Sequence, residues 1–448
     1  MKKLFICIFS AGLLSGCFVG CKDNSNKNKP EINLSDEELL DSVQRQTFQY
    51  FWDGAEPVSG MARERYHVDG KYPDNDKNVV TSGGSGFGLM AIISAIERGY
   101  ITREQGLLRF TKILDWLEKA DRFHGVFPHW WNGETGKVKP FGREDNGGDL
   151  VETSFLFQGL LCVHQYYKDG NTAEKAVAAR IDKLWKEVEF DWHRNGQDVL
   201  YWHWSPEFAW IKNFPVRGYN ECLIMYVLAA ASPTHGIPAE VYHKGWAENG
   251  AITAPHTVEG FDLNMRYQGT QAGPLFWAHY SFLGLDPRGL KDQYADYFQE
   301  MMNYTLINRA YCIRNPKNYK GYGEDCWGLT ASYSVSGYAA HAPDERDDLG
   351  VISPTAALSS IVYTPEESMA VMRHLYKMGD KVRGKYGFYD AFSETSDWYP
   401  QRYLAIDQGP VPVMIENYRS QLLWKLFMSH PDVQNGLRKL GFESPYLN

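Results

Sequence analysis

The chain has 448 residues, of which 44% are apolar, so it can bury a large core, and its length alone would permit two or three domains. Its formal net charge of −9 argues against nucleic acid as a partner, because proteins that bind nucleic acid usually present a basic surface. Aromatic residues make up 15% of the chain, and many lie in segments predicted as loops, where a core role is less natural.

The N-terminus has the pattern of a bacterial lipoprotein export signal. Two lysines precede an apolar run that ends in Leu14-Ser15-Gly16-Cys17, which resembles a lipobox with Cys17 as the lipidated residue. Cys21 is a weaker second candidate. We expect residues 1–16 to be a signal peptide, residues 17–33 a flexible tether and residues 34–448 one domain, held at the outer membrane in the periplasm or at the cell surface.

Helical periodicity dominates the rest of the chain, and two kinds of helix alternate. One kind has a polar face; the other, which follows it after a long loop, is apolar or small nearly all round. The predicted pairs are 35–52 with 81–99, 102–120 with the apolar part of 141–170, 172–190 with 218–231, 238–249 with 271–284, 290–308 with 353–362, and 365–379 with 410–428.

This alternation predicts the fold class. A helix that is apolar on all sides must be buried, whereas one with a polar face lies at the surface. Six buried helices separated by six half-exposed ones predict an all-α protein, an (α/α)6 toroid with an inner and an outer ring. All inner helices would then begin at the same rim, so the long loops before them would converge on one cavity, which is the expected site.

The segment 141–170 brings carboxylates to that rim. Asp145 lies in a polar loop, and Asp149 and Glu152 lie three residues apart where the buried helix begins. This spacing points both side chains toward one space. It also fits a capping box, with Asp149 as N-cap and Glu152 at N3. Both interpretations remain open at this point.

Further acids occur at the starts of other inner helices. Glu221 lies in the first turn of a buried helix, where an unpaired charge would be costly. Asp397 and Asp407 precede the last inner helix. A collection of carboxylates among aromatic residues suits glycoside cleavage, which needs one acid to protonate the leaving oxygen and one carboxylate to activate water or attack carbon.

The same loops carry residues that could contact sugars. Flat rings with polar edges suit sugar faces, and imidazole and guanidinium groups can bind hydroxyls. The candidates are Trp130, Trp131, Trp202, His203, Trp204, Arg217 and Arg266. No motif indicates zinc or a dinucleotide, so we expect neither a metal nor a cofactor.

Four motifs carry a family resemblance. They are GGDLVETSFLFQGLL, RGYNECLIMYVLAAASPTH, GPLFWAHYSFLGLDP and GFYDAFSETSDWYPQRYLAIDQGPVPVMIENYRSQLLW. In this order they resemble the glucoamylase-like domain of Bacteroidetes lipoproteins and, more narrowly, glycoside hydrolase family 144. The resemblance extends over nearly all of the chain after the tether. It implies an (α/α)6 fold and inverting hydrolysis of β-1,2-glucan, and we expect the protein to be a monomer.

The resemblance also implies particular residues. The acids implicated in that family lie in a D-x-x-x-D-x-x-E run and in a glutamate 69 residues further on, which fall here on Asp145, Asp149, Glu152 and Glu221. A further aspartate from the C-terminal region is expected, and Asp407 is chosen over Asp397. Glu221 is the expected acid, and a carboxylate among Asp149, Glu152 and Asp407 would activate water.

Two alternatives remain open from the sequence. A polysaccharide lyase or sugar epimerase could use the same toroid, although lyases favour basic sites and this rim is rich in acids. A lipoprotein that captures glycan without cleaving it would need the aromatic residues but not the buried acids. Unsaturated product would identify a lyase, and binding without release of reducing sugar would identify a capture protein.

Overall fold

The computed structural model describes residues 34–267 and 272–447. The predicted signal peptide 1–16, the tether 17–33 and the lipidation site Cys17 lie outside the described residues. From Ser35 onward the chain clusters into one unit.

The described residues form six helical pairs in chain order, each with an outer and an inner member. The pairs are α1 Asp36–Trp52 with α2 Ser82–Glu97, α3 Arg103–Leu117 with α4 Leu150–Tyr167, α5 Thr172–Lys186 with α6 Leu223–Ala231, α7 Ala239–Val241 with the inner 3-10 turns Leu275–Ala278 and Tyr280–Leu283, α8 Tyr297–Arg314 with α9 Pro354–Ser359, and α10 Pro365–Met378 with α12 Pro410–Ser420. A π-helical turn, Tyr242–Trp246, extends α7, and α11 Ala405–Gln408 precedes α12. The chain continues into α13 Leu422–Met428 and α14 Pro431–Lys439. The predicted (α/α)6 toroid is confirmed.

Burial separates the two kinds of helix as the periodicity predicted. Every residue of α6 is buried, as is nearly every residue of α2 and α4. The outer helices α3, α5 and α10 bury one side and expose the other. The ring closes because α12 packs against both α1 and α2. Helices that are apolar all round have no solvent-facing side and therefore form the inner ring.

The fourth inner segment is less regular than the predicted helix 271–284. It consists of two short 3-10 turns separated at His279. Side chains of the neighbouring helices bind its backbone: the Gln158 amide donates to the carbonyl of Tyr280, and the Asn417 amide donates to the carbonyl of Leu283. These carbonyls are satisfied by inner-ring side chains rather than by a continuous α-helical ladder.

Glycine allows the inner helices α2 and α4 to approach closely. A Cβ placed on Gly86 would lie 2.1 Å from the carbonyl oxygen of Phe155, and one placed on Gly159 would lie 2.1 Å from the carbonyl oxygen of Gly86. Neither position has room for a side chain. Gly86 and Gly159 therefore allow the close packing of α2 against α4.

Short antiparallel strand pairs hold the rim loops. The strands are β1 Arg65–His67, β2 Val79–Thr81, β3 Trp130–Asn132, β4 Gly148–Asp149, β5 His203–Trp204, β6 Thr253–Val258, β7 Phe261–Met265, β8 Ala331–Ser334, β9 Gly337–Ala340, β10 Arg383–Gly384, β11 Gly387–Phe388 and β12 Arg402–Leu404. They pair as β1–β12, β2–β3, β4–β5, β6–β7, β8–β9 and β10–β11. The β1–β12 pair joins the loop after α1 to the loop before α11, so the first and last hairpins of the ring meet at the rim.

Within the described ranges, no helix combines the length and apolar character needed to cross a membrane.

Candidate active site

A cavity of about 390 Å³ lies at the rim where the inner helices begin. Its size falls within the range of ligand pockets. Its walls come from segments spread over most of the chain. The lining residues are Glu64, Arg65, Thr81, His129, Trp130, Phe141, Glu152, Phe155, Trp202, Glu221, Phe276, Tyr280, Ala331, Tyr333, Tyr338, Leu404 and Ile406.

Asp149 is the N-cap of α4, but it does not form a full capping box with Glu152. Its Oδ1 accepts a hydrogen bond from the Glu152 N–H at 2.9 Å. The Glu152 carboxylate does not accept a hydrogen bond from the Asp149 N–H, as a capping box would require. Its Oε2 instead accepts from the N–H of Gly83 at 2.8 Å. Asp149 therefore caps the helix and Glu152 lines the cavity, so the two interpretations of this motif apply to different residues.

His129 links these two acids. Its Nδ1 lies 3.0 Å from Asp149 Oδ2, and its Nε2 lies 4.0 Å from Glu152 Oε1. The Trp202 indole N–H donates to the same Asp149 oxygen at 3.0 Å. Burial alone would lower the pKa of His129, but the carboxylates of Glu152 and Asp149 outweigh burial and raise its pKa to about 9. His129 is therefore a cation at neutral pH.

The two cavity glutamates, Glu152 and Glu221, have raised pKa values. Burial raises the pKa of Glu221 to about 7, and the negative charges of Glu152 and Asp149 add to this effect. Burial also raises the pKa of Glu152 to about 7, against the opposing charge of His129. The pKa of Asp149 is lowered, because hydrogen bonds and the charge of His129 outweigh burial. The cavity thus has two carboxyl groups that titrate near neutral pH, next to one that stays ionised.

Asp407 does not line the cavity. It is buried and accepts a hydrogen bond from the hydroxyl of Tyr280, which does line it, at 3.2 Å. Burial and the neighbouring Asp390 raise the pKa of Asp407 well above its usual range. Asp407 therefore lies one residue behind the cavity wall and contacts it through Tyr280.

Asp145 and His203 also lie behind the wall. His203 is almost fully buried, and its Nε2 lies 3.2 Å from Asp145 Oδ1 and 3.1 Å from the backbone nitrogen of Gly147. Burial lowers the pKa of His203. The expected sugar contact by His203 does not fit this position, because its ring supports the Asp145–Gly147 loop.

The predicted aromatic set divides between the cavity and its surroundings. Trp130 and Trp202 line the cavity, as does Phe141, whose ring lies 4.9 Å from that of Trp130. Trp131 is fully buried, and its indole donates to the carbonyl of Asp121. The placement of Trp131 at the cavity is therefore wrong, because neighbouring residues of β3 point to opposite sides.

The remaining predicted contacts lie elsewhere. Trp204 packs against Trp192 rather than facing the cavity. Arg217 donates to the backbone carbonyl of Lys244, and Arg266 forms an ion pair with Glu248. Each side chain is engaged by a neighbour outside the wall, so the predicted direct sugar contacts of these three residues are not supported.

Several residues that line the cavity were not predicted from the sequence. Glu64 lies beside Arg65, and burial raises its pKa. Tyr333 and Tyr338 come from the β8–β9 hairpin, and Tyr280 from the irregular fourth inner segment. The one local signal was the charged run Arg63-Glu64-Arg65 in the loop after α1; the tyrosines had none. Among the described residues, no group of three or more His, Cys, Asp or Glu side chains is arranged to hold a metal ion.

Comparison with known proteins places this site in a family. The Glycoamylase family model, described as "Putative glucoamylase", matches residues 213–431. The structure of an endo-β-1,2-glucanase from Chitinophaga pinensis, in complex with sophorotriose and glucose, is 70% identical and has a TM-score of 0.92. The similarity covers 92% of this chain and all of that one.

Two further proteins extend the comparison. An exo β-1,2-glucooligosaccharide sophorohydrolase (non-reducing end) of Parabacteroides distasonis is 47% identical over 437 residues, covering 93% of this chain. The chain spans 60% of the length of this curated relative. An endo-β-1,2-glucanase from Talaromyces funiculosus, in complex with sophorose, shares the fold at 11% identity, with a TM-score of 0.66 and coverage of 90% of this chain and 88% of that one. By sequence and by fold, this chain belongs to the glycoamylase-like family of glycoside hydrolase family 144 type.

Proposed function

We propose that this chain is an inverting glycoside hydrolase that cleaves β-1,2-linked glucan. The observation that carries the proposal is the pair Glu152 and Glu221, two carboxyl groups that line one cavity but have different partners. Inverting hydrolysis needs such a difference, because one group must hold a proton while the other accepts one.

The partners of each carboxyl group assign its role. Glu152 accepts from the Gly83 N–H and lies near the His129 cation, and both contacts favour its ionised form. No cation lowers the pKa of Glu221 in the described part of the chain, whereas burial and the charges of Glu152 and Asp149 favour its protonated form. Glu221 is thus the general acid and Glu152 the general base.

In the proposed reaction, Glu221 gives its proton to the oxygen of the glycosidic bond as the bond from that oxygen to the anomeric carbon breaks. A water molecule attacks the same carbon from the opposite face and loses a proton to Glu152. The products are a hemiacetal of inverted configuration and the departing sugar with its free hydroxyl; Glu221 then regains a proton from solvent and Glu152 releases one to solvent. General acid catalysis of this kind typically contributes ~10²–10⁴-fold.

The walls of the cavity support a glycan substrate. Trp130, Trp202 and Phe141 offer flat rings, and the polar side chains of Glu64, Glu152 and Glu221 line the same cavity. Aromatic rings with a few placed polar groups are typical of binding sites for small, partly polar ligands. The relatives named as β-1,2-glucanases support the linkage.

A substrate screen tests this proposal. The purified protein, residues 34–448, is incubated with β-1,2-, β-1,3-, α-1,4- and α-1,6-glucans, and the products are sized. We expect release of reducing sugar from β-1,2-glucan, with disaccharide alone indicating exo action and a ladder of oligosaccharides indicating endo action. Product absorbing at ~232 nm would indicate a lyase, and binding without cleavage a capture protein; either result would overturn the proposal.

We also propose that the protein is lipid-anchored at the outer membrane, in the periplasm or at the cell surface. Support comes from Leu14-Ser15-Gly16-Cys17 after an apolar run and from the polar stretch that follows. A palmitate analogue should label the wild type and Cys21→Ala but not Cys17→Ala. Loss of label in Cys21→Ala instead would contradict the assignment of Cys17.

A further inference from the structure

Asp390, which none of the preceding assignments uses, is a fully buried acid near the cavity wall. Its Oδ2 accepts a hydrogen bond from the backbone N–H of Tyr333 at 2.8 Å, and its own N–H donates to the carbonyl of Arg402 at 2.9 Å. Tyr333 lies on β8 and lines the cavity. Asp390 therefore fixes the backbone of the strand that carries part of the cavity wall.

Asp390 also contacts Asp407. Tyr333 and Tyr280 donate to one oxygen of each carboxyl group, and the other oxygens, Asp390 Oδ1 and Asp407 Oδ2, are buried with no donor among the described residues. The two segments are held side by side, because the Gln408 amide donates to the carbonyl of Phe388 at 2.9 Å, and each aspartate acts on the pKa of the other as a hydrogen-bond partner. A hydrogen bond between two carboxyl groups requires a proton on one of them, so the pair holds one proton.

The charges around the pair favour retention of that proton. The charge of Glu64 raises the pKa of both carboxyl groups. The cations Arg65 and Arg402 lie nearer to Tyr333, whose pKa burial raises and they lower. Burial raises the pKa of Asp390 to about 7, and burial together with Asp390 raises that of Asp407 well above its usual range.

We propose that Asp390 is a positioning residue for the hydrolysis proposed above: Asp390 and Asp407 form a proton-sharing carboxyl pair that fixes the Tyr280 hydroxyl and the Tyr333 strand at the cavity. The Tyr280 hydroxyl hydrogen is committed to Asp407, so its oxygen faces a substrate as an acceptor. It therefore selects a sugar hydroxyl that donates. This role rests on the proposed function, whereas the shared proton rests on the burial and the unpartnered oxygens of the two adjacent carboxyl groups.

Two substitutions separate a positioning role from simple filling of space. Asp390→Asn keeps an oxygen for the Tyr333 N–H and supplies an N–H to Asp407, which replaces the shared proton. Asp390→Ala removes both contacts. On β-1,2-glucan we expect Asp390→Asn to retain kcat within about threefold of wild type and Asp390→Ala to lose more than tenfold. Asp380→Asn, at an exposed position, is the matched control.

A second readout needs no substrate. Both carboxyl groups have a folded-state pKa above the unfolded value of about 3.9, so the stability that the shared proton contributes is fully present below about pH 4 and is lost as pH rises through the folded pKa of the pair. Between pH 6 and pH 9 we therefore expect Tm to fall less for Asp390→Asn than for wild type and Asp380→Asn.

The two measurements test different parts of the proposal. Parallel Tm curves for wild type and Asp390→Asn would overturn the shared proton, and equal kcat for Asp390→Ala and Asp390→Asn would overturn the positioning role. If Asp390→Ala does not fold, the comparison of Tm between wild type and Asp390→Asn still tests the shared proton. If wild type left every glucan intact while the Tm difference appeared, the proposed function would fail and the proton-sharing pair would stand.

Discussion

Glu221 and Glu152 line one cavity and both have a pKa raised to about 7, yet their partners differ. The Gly83 N–H and the His129 cation hold Glu152 toward its carboxylate form, while burial and nearby negative charge hold Glu221 toward its acid form. The functional difference thus lies in the groups around each side chain rather than in the residue type.

Glu221→Gln should keep the shape of the side chain and remove its proton. We expect kcat on β-1,2-glucan to fall by ~10²–10⁴-fold with the fold intact. Because the pKa of Glu221 is raised to about 7, the wild-type rate should decline as pH rises through about 7, and the variant should lack that decline. Glu207→Gln, exposed in a rim loop, is the control. Near-normal turnover in Glu221→Gln would remove the assignment.

His129→Gln tests the cation beside the acids. The pKa of His129 is raised from 6.5 to about 9, so its contribution to stability is fully present below pH 6.5 and is lost as pH rises through about 9. We expect the Tm deficit of the variant to be large at pH 6 and smaller at pH 10. His374→Gln, half-exposed on α10, is the control. A deficit that does not change with pH would show that His129 acts by packing alone.

At the scale of elements, strand β3 explains why the cavity position predicted for one of two adjacent tryptophans was wrong. Trp130 lines the cavity, while Trp131 packs edge-on against Trp116 in the core. Side chains alternate along a strand, so adjacent residues cannot both face the cavity. A three-residue strand inside a long loop is too short to show this alternation in sequence.

Trp202→Ala and Trp131→Ala should therefore have opposite effects. The loss of Trp202 should weaken oligosaccharide binding, because its ring lines the cavity, with a modest fall in Tm. Trp131→Ala should reduce the free energy of unfolding by about 3–5 kcal/mol, as expected for a fully buried ring. Affinity by calorimetry and Tm by scanning fluorimetry check both. Unchanged affinity in folded Trp202→Ala would exclude an aromatic platform there.

The contact between α2 and α4 predicts another measurable effect. A methyl group on Gly159 would meet the Gly86 carbonyl oxygen at 2.1 Å, which is backbone and cannot swing away. Gly159→Ala should therefore lower the free energy of unfolding by about 1–3 kcal/mol or more. Gly323→Ala, where nothing lies within 4 Å of the added atom, should change Tm little. Equal Tm values for the two variants would contradict this account of the helix contact.

At the scale of the whole molecule, the toroid follows from the alternation of buried and half-exposed helices, which sequence periodicity predicts well. The same pattern places the inner helix starts, and with them Asp149, Glu152 and Glu221, at one rim, although Glu221 lies in the turn before α6 rather than in the first turn of the helix. The irregular inner segment around Tyr280 was less predictable, because its backbone is satisfied by Gln158 and Asn417 from distant parts of the chain.

The cavity walls show a similar limit. Glu64, His129 and Tyr333 face one space, although each lies in a different hairpin of the ring. Their convergence depends on how loops pair, as β1 does with β12, and such pairing leaves little periodic signal in the sequence. Conversely, Arg217 and Arg266 lie near inner helix starts but are engaged by neighbours outside the cavity. Proximity to the rim in sequence therefore identifies candidates but not their orientation.

The central claim is that Glu221 protonates the leaving oxygen while Glu152 directs water to the opposite face of the sugar. Proton NMR of the first product released from β-1,2-glucan tests this most directly, because it shows the configuration at the anomeric carbon before mutarotation mixes the two anomers. The account predicts that the α anomer appears first and then equilibrates. A β anomer formed first would contradict it, since retention would require a carboxylate that attacks carbon rather than one that activates water.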